Sequence, residues 1–467
     1  MEFHLTTHEL SVMLEKISRI SEEFPMILKI LKKYKDLIDS SIQIPTQEYL
    51  KRQKSVYHSL QQDGFEIGFF FSDEHYSGDI PYFGGTYISI EQVAGVIGKT
   101  GFHIIAGLEG GYVAEQLAPR ADAKVHKVEL LQLADEKYPI EAERLEAVIE
   151  AAAQKEISTI EKIALLTPKQ VIPAAIAEYL YDLFGKSNVV DKQEIYYKIK
   201  YEKSDMEMKL IRQACLIADA MMRSMLAVLK PGMLETEVAA WAYFIGRQLG
   251  SEEDGFKVMV GANEANRTLI GQALNREINE GDFVHLGVAP KRDGLNSCIR
   301  RSVIAVKSQD EVTQNQKYWF DFIEAAYQVG FQKFVEVAKK NLPAKYQEQA
   351  LVDFYKSKSE EISERFDIKI DLEQLKPYTG THNSGYTECQ EFAFAITLDS
   401  EDPLGSQIVT MLDVALKGIG NSWNDLIIPD LDFIVIENTL GKFGRTVETL
   451  THLPLNCQSL VGNVDEL

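Results

Sequence analysis

Cysteine is scarce in this chain. The four residues Cys215, Cys298, Cys389 and Cys457 are spread over 467 positions and form no CxxC pair. That spacing excludes a disulfide scaffold or a zinc ribbon and predicts a reducing, cytoplasmic setting. Positive charge is also short: Lys and Arg total 49 against 70 Asp and Glu, for a formal charge of −21. So acidic a chain is a poor partner for nucleic acid or an anionic membrane, and neither is expected. No apolar run approaches the length of a membrane span. The first residues, Met1-Glu2-Phe3-His4, lack the basic-then-apolar layout of a secretory signal, so none is expected.

What is present reads as globular protein. Hydrophobic residues make up 45% and charged residues 25%, which argues against disorder, and the length calls for two or more cores. Leu10, Met13, Leu14, Ile17 and Ile20 recur at helical spacing and predict a helix within residues 8–38. From Gln47 to about Val190, short β-rich runs alternate with helical ones: 68–72, 87–90, 103–107 and 162–167. Alternation of this kind suits an α/β domain. Glu194–Asp205 reads as the connection to a second domain. There, Pro231-Gly232 ends one amphipathic helix, and the next begins near Thr236.

Residues 281–302 carry the most informative absence. Gly281-Asp282 and Arg301-Ser302 bracket a stretch that resembles the metal-binding hairpin of the creatinase/aminopeptidase P/prolidase family, in which two aspartates are ligands. Their positions fall here on Gly287 and Cys298. Further segments carry the same resemblance in the same order: Lys203–Ala220, Leu229–Val238, Gly261-Ala262-Asn263, His382-Asn383-Ser384-Gly385-Tyr386, and Glu437-Asn438-Thr439-Leu440 followed by Leu450-Thr451 and Pro454. The loop Ser72–Gly85 is similar to one in the N-terminal domains of creatinase and prolidase.

The resemblance implies an α+β protein: an N-terminal α/β creatinase-type domain over residues 1–195, with a helical extension over 1–40, and a pita-bread domain over 200–467. It places His382, Asp413 and Glu437 at surviving ligand positions, Cys389 where a second histidine is usual, and Thr268 where a substrate-facing histidine is usual. At most two anionic groups then remain, too few to offset two divalent ions, so no dinuclear centre and no cofactor is expected. One zinc or iron ion on Cys298, His382 and a carboxylate is chemically allowed.

Strand parity adds a reading of its own. Side chains two apart share a face, so Cys298 and Arg300 should point together, as should His285 and Gly287. Arg300 would then enter the vacated pocket, either pairing with Glu437 or Asp413 or gripping a substrate carboxylate. His382, Glu437 and Cys298 are the candidate catalytic residues. Arg300, His285, Asp413, Tyr386 and Cys389 are the candidates for contact with a small-molecule or peptide-like substrate. Three functions stay open: a metal-independent hydrolase or lyase of a C–N bond, as in creatinase; a pseudoenzyme that binds a peptide or small ligand; and a metallopeptidase of aminopeptidase P or prolidase type. A homodimer is expected, with the Tyr76–Phe83 loop as an apolar contact.

Overall fold

The computed structural model describes residues 7–132, 142–388 and 393–463. Helix α1 (Thr7–Lys35) opens the chain, and α2 (Thr46–Gln62) leads into the first sheet. That sheet is built from β1 (Gly68–Ser72), β2 (Val93–Gly98), β3 (Gly101–Ala106), β4 (Lys124–Lys127), β5 (Ile163–Leu165) and β6 (Val189–Asp191), in the order β4-β3-β2-β1-β5-β6. The β1–β2 and β2–β3 pairs are antiparallel, and the others are parallel. Parallel neighbours need crossovers, which α4 (Leu108–Leu117), α5 (Leu145–Ala153) and α6 (Ala174–Phe184) supply.

Two expectations fail in this half. Residues 87–90 form no strand, because Ile90 sits at φ 60° and breaks the extended run before β2 begins. The Tyr76–Phe83 segment is not an exposed contact: its last part lies in the short helix α3 (Asp79–Gly84), and Tyr76, Tyr82 and Phe83 are buried. Phe83 packs on Phe70 with ring centroids 4.7 Å apart. These aromatics fill the chain's own core and are not available to a partner.

Helix α7 (Glu194–Tyr201) precedes the long α8 (Asp205–Val228). A reciprocal cap starts α8: Ser204 Oγ accepts from the Glu207 N–H at 3.1 Å, and Glu207 accepts from the Ser204 N–H at 2.8 Å. Helix α9 (Glu235–Gln248) follows a turn in which Gly232 has φ 88°. The second sheet collects β7 (Met259–Ala262), β8 (Phe283–Val288), β11 (Ile299–Ile304), β12 (Thr381–Asn383), β13 (Gln407–Lys417), β14 (Phe433–Phe443) and β15 (Thr446–Thr449); between β8 and β11 lie the two short paired strands β9 (Lys291–Arg292) and β10 (Leu295–Asn296). Its order is β12-β13-β14-β11-β8-β7, with β15 on β14, and every pairing is antiparallel.

Alternation divides this sheet cleanly. Val284, Leu286 and Val288 of β8 and Ile299 and Val303 of β11 pack with α8 and α9. Leu412, Val414, Ile434, Ile436 and Leu440 pack with α10 (Gln314–Lys340) and α11 (Lys345–Phe366). The intervening residues, His285, Gly287, Arg300, Asp413 and Glu437 among them, are thereby turned to the other face. Arg52 ties the two halves together from a buried position, 3.0 Å from Glu207 and 3.1 Å from the Tyr386 hydroxyl.

Candidate active site

Register sets four positions on one line across the sheet. Gly287 pairs with Arg300, Arg300 with Glu437, and Glu437 with Asp413, so β8, β11, β14 and β13 each contribute one residue to a single rung. His382 enters from β12 beside Met411. Its Nε2 lies 3.5 Å from Glu437 Oε1 and 3.6 Å from Glu388 Oε1. The exposure of these side chains rises from 1% at Glu437 to 17% at His382, so the cluster opens on the His382 side.

The Arg300 guanidinium fills the rung. Nε donates to His285 Nε2 at 2.9 Å, Nη1 to Asp413 Oδ2 at 2.9 Å and to the Tyr378 hydroxyl at 3.1 Å, and Nη2 to the Leu269 carbonyl. Glu437 Oε2 is 3.7 Å from Nε. Little donor capacity remains, and the side chain is 5% exposed, so Arg300 pairs with Asp413 and Glu437 rather than reaching for a substrate carboxylate. Its aliphatic stem covers Gly287: a Cβ at that residue would stand 3.1 Å from Arg300 Cγ. The missing carboxylate at 287 and the arginine at 300 are two sides of one packing solution.

His285 is not a substrate contact. It is buried at 1% exposure behind Arg300, and burial, then the Arg300 charge, hold its pKa well below the ordinary histidine value. A neutral imidazole accepting from a guanidinium is the result. Thr268 does not face the cluster as the family's histidine would; its hydroxyl donates to the Ala265 carbonyl at 2.7 Å. The next residue, Leu269, adopts φ 63° in a three-residue turn closed by the Ile270 N–H on the Thr268 carbonyl at 2.6 Å. That turn aims the Leu269 carbonyl at Arg300.

Charge at the cluster is lopsided. Asp413, Glu437 and Glu388 face one guanidinium and one imidazole. Burial would lower the His382 pKa, but Glu388, Glu437 and Asp413 outweigh it and push it up to about 10. Burial and the Glu437 charge raise Asp413 to about 6 against the opposing pull of Arg300 and His382. The Cys298 thiol is fully buried, and burial together with Glu437 and Glu388 holds its pKa well up. Two sets of donors have their ligand atoms within 4.8 Å of one another, Cys298 with Glu388 and Glu437, and His382 with Asp413 and Glu437. Glu437 belongs to both. A pair of ions does not fit, because Gly287 offers no donor and Arg300 holds the ground beside it; one ion does, since the buried Glu437 Oε1 has no hydrogen-bond partner.

Glu388 and Tyr378 were not anticipated. Tyr378 donates to Asp413 Oδ1 at 3.2 Å while accepting from Arg300. Tyr386, a candidate substrate contact, stands apart from the cluster: its ring packs on Tyr82 at 5.5 Å and lines a cavity of about 570 Å³ with Ser77, Arg120, Lys291, Asp293 and Gly294. Cys389 lies outside the described residues.

Comparison with known proteins finds partial matches in sequence and a broader one in fold. Residues 209–355 match the model of metallopeptidase family M24. The chain is similar to an Xaa-Pro dipeptidase of Pyrococcus horikoshii, 26% identical over 242 residues, covering 51% of this chain and 64% of the dipeptidase. An uncharacterised peptidase of Bacillus subtilis is 28% identical over 139 residues, covering 30% of this chain and 39% of that protein. The sequence matches therefore span less than two thirds of these relatives. In fold the chain is similar to the prolidase of Pyrococcus horikoshii, with a TM-score of 0.66 at 16% identity over 88% of this chain and 100% of that one. It is likewise similar to an X-Pro aminopeptidase of Thermotoga maritima, with a TM-score of 0.67 at 16% identity over 86% and 98%. No helix among the described residues is long and apolar enough to cross a membrane. Over residues 209–355 the chain is similar to metallopeptidase family M24, and its fold is similar to that of the prolidase and X-Pro aminopeptidase structures.

Proposed function

We propose that this chain hydrolyses a C–N bond of a peptide-like substrate at the cluster of Arg300, His382, Asp413 and Glu437, with room for one divalent ion. The family match and the peptidase relatives favour the metallopeptidase reading over the metal-independent hydrolase or lyase expected from the sequence. The observation that carries it is the rung Gly287–Arg300–Glu437–Asp413, in which a guanidinium takes up one end while an anionic remnant faces His382. His382 and Glu437, with Asp413 or Glu388, would hold the ion. When bound, it would polarise a carbonyl and lower the pKa of a coordinated water.

The chain's own groups divide the remaining work. Arg300 and Tyr378 fix the Asp413 carboxylate from two sides, which keeps it oriented without solvent. His382, the most exposed member, meets the substrate first. Low local polarity strengthens each of these contacts.

A second reading keeps the site free of metal. Its specific support is the His382 pKa near 10: an imidazolium at neutral pH would donate a proton to a leaving nitrogen, with Glu437 orienting it. Cys298 then serves as a wall of the site. We propose a cytoplasmic homodimer as the setting for either chemistry.

The test is an assay of the full chain on dipeptides and longer peptides carrying proline in second position, before and after chelation and with zinc or manganese added back. Hydrolysis that is lost on chelation and restored by metal supports the metallopeptidase. Hydrolysis indifferent to chelation establishes the metal-free reading, and no hydrolysis under any condition leaves a binding protein.

A further inference from the structure

The cavity that Tyr386 lines, about 570 Å³ in volume, is walled by both halves of the chain and by none of Arg300, His382, Asp413 or Glu437. Its size falls among small-ligand pockets, about 300–1,000 Å³. Lys291, on β9, supplies the most buried charge of the wall, with its side chain 6% exposed. A lysine so placed should close tightly on its acceptors. Instead its Nζ stands 3.2 Å from Glu253 Oε2 and 3.3 Å from Ser77 Oγ, whereas the outlying Lys127 and Lys307 approach their carboxylates to 2.7 Å. The ammonium is held short of a good acceptor on the wall of an open space.

Arg120 repeats the pattern from the other half. Nε donates to the Gly85 carbonyl at 2.5 Å and Nη1 to Asp293 Oδ1 at 2.6 Å, which fixes the guanidinium plane and leaves Nη2 without an acceptor among the described residues. Asp293 is committed to this task, since its Oδ2 accepts from the Ile44 N–H at 2.8 Å. The remaining anions of the wall, Glu252 and Glu253, are more exposed, at 54% and 37% against 27% for Arg120. Positive charge thus lies inside the cavity and negative charge toward its mouth. Pro81, Ile88, Leu117 and the Tyr386 ring add apolar surface to the same wall.

We propose that this cavity binds a free apolar amino acid, whose carboxylate meets Lys291 and Arg120 and whose ammonium meets Glu252 and Glu253. A carboxylate presents two oxygens, enough for both cations. A phosphate or a dicarboxylate fits less well, because the acidic mouth repels further negative charge. The apolar surface selects a leucine- or phenylalanine-like side chain over a small or charged one. An occupant ties together the two halves of the chain, each of which contributes part of the wall. The site goes beyond the hydrolytic reading and does not depend on it.

The experiment is isothermal titration calorimetry of the full chain with L-phenylalanine, compared with 3-phenylpropionate, which lacks the ammonium, and 2-phenylethylamine, which lacks the carboxylate. One phenylalanine per chain is expected, with 3-phenylpropionate weaker by a few fold and 2-phenylethylamine weaker by at least tenfold. Lys291→Met should weaken phenylalanine binding at least tenfold. Leu117→Trp, which fills the cavity and leaves its charges in place, should do the same with the fold intact by circular dichroism. His382→Ala should bind phenylalanine as the parent does. Unchanged affinity in Leu117→Trp, or loss in His382→Ala while both cavity variants still bind, puts the ligand elsewhere and overturns the site. Equal binding of 2-phenylethylamine overturns the role of the two cations, and no heat with phenylalanine at millimolar concentration overturns the cavity as an amino-acid site. None of these ligands has a peptide bond, so a failure to hydrolyse peptides would sink the hydrolase reading alone.

Discussion

Asp79 in the first half of the chain and Glu437 in the second are both buried carboxylates, 0% and 1% exposed, and their surroundings differ in kind. Asp79 has both oxygens engaged: Thr167 donates at 2.5 Å, Tyr76 at 3.4 Å, Tyr196 also donates, and the Lys200 ammonium lies 3.4 Å away. Glu437 has two cationic side chains at 3.5 and 3.7 Å and an Oε1 with no hydrogen-bond partner. A closed polar network locks a core in place. An open one holds charge for something that arrives from outside, which is why the second cluster and not the first is read as the site.

The contrast breaks first on stability. Asp79→Leu removes the buried carboxylate that Thr167, Tyr76, Tyr196 and Lys200 all engage and should cost about 3–5 kcal/mol in urea denaturation. Glu437→Gln keeps the side chain's shape, leaves Arg300 its bonds to His285, Tyr378, Asp413 and Leu269, and relieves the crowding of carboxylates with Asp413 and Glu388, so it should change stability by less than about 1 kcal/mol in ion-free protein, while abolishing ion binding. Equal costs at the two sites would erase the distinction.

Arg300 sharpens it next. Arg300→Met strips the cation from Asp413 and should destabilise ion-free protein by roughly 3 kcal/mol; Arg300→Lys should recover only part, since an ammonium cannot reproduce the fork that spans His285, Tyr378 and Asp413. A loss below about 1 kcal/mol for Arg300→Met would show that Arg300 is space-filling and not a substitute cation.

Asp219 sits between the two cases. Both of its oxygens accept from the His452 N–H, at 3.0 and 2.8 Å, and burial pushes its pKa up to about 6. A carboxyl whose folded pKa exceeds its unfolded value near 3.9 costs nothing below pH 4 and its full penalty above pH 6. Asp219→Asn should therefore gain about 2 kcal/mol at pH 7, with the gain fading as pH falls from 6 to 4. A gain that is constant across that window would contradict the titration.

The sequence made the sheet legible because strand parity and motif spacing are periodic. Residues 281–302 announced a hairpin, and parity at Cys298 and Arg300 led to the face on which both meet Glu437. Glu388 and Tyr378 stayed hidden because each reaches the cluster from an irregular segment, where no period links position to direction. Tyr76–Phe83 misled for a related reason: glycines and aromatics together read as a surface loop, whereas Asp79, held by Thr167, Tyr196 and Lys200, draws that segment into the core. The run 87–90 has the composition of a strand, but one residue with positive φ at Ile90 ends it.

The central claim, that Arg300 replaces one cation and leaves a place for one more, meets its most direct test in ion stoichiometry. Protein saturated with zinc, freed of excess and weighed by native mass spectrometry should carry one ion per chain, falling to none in Glu437→Gln. Two ions on the parent chain, or none, would contradict the account.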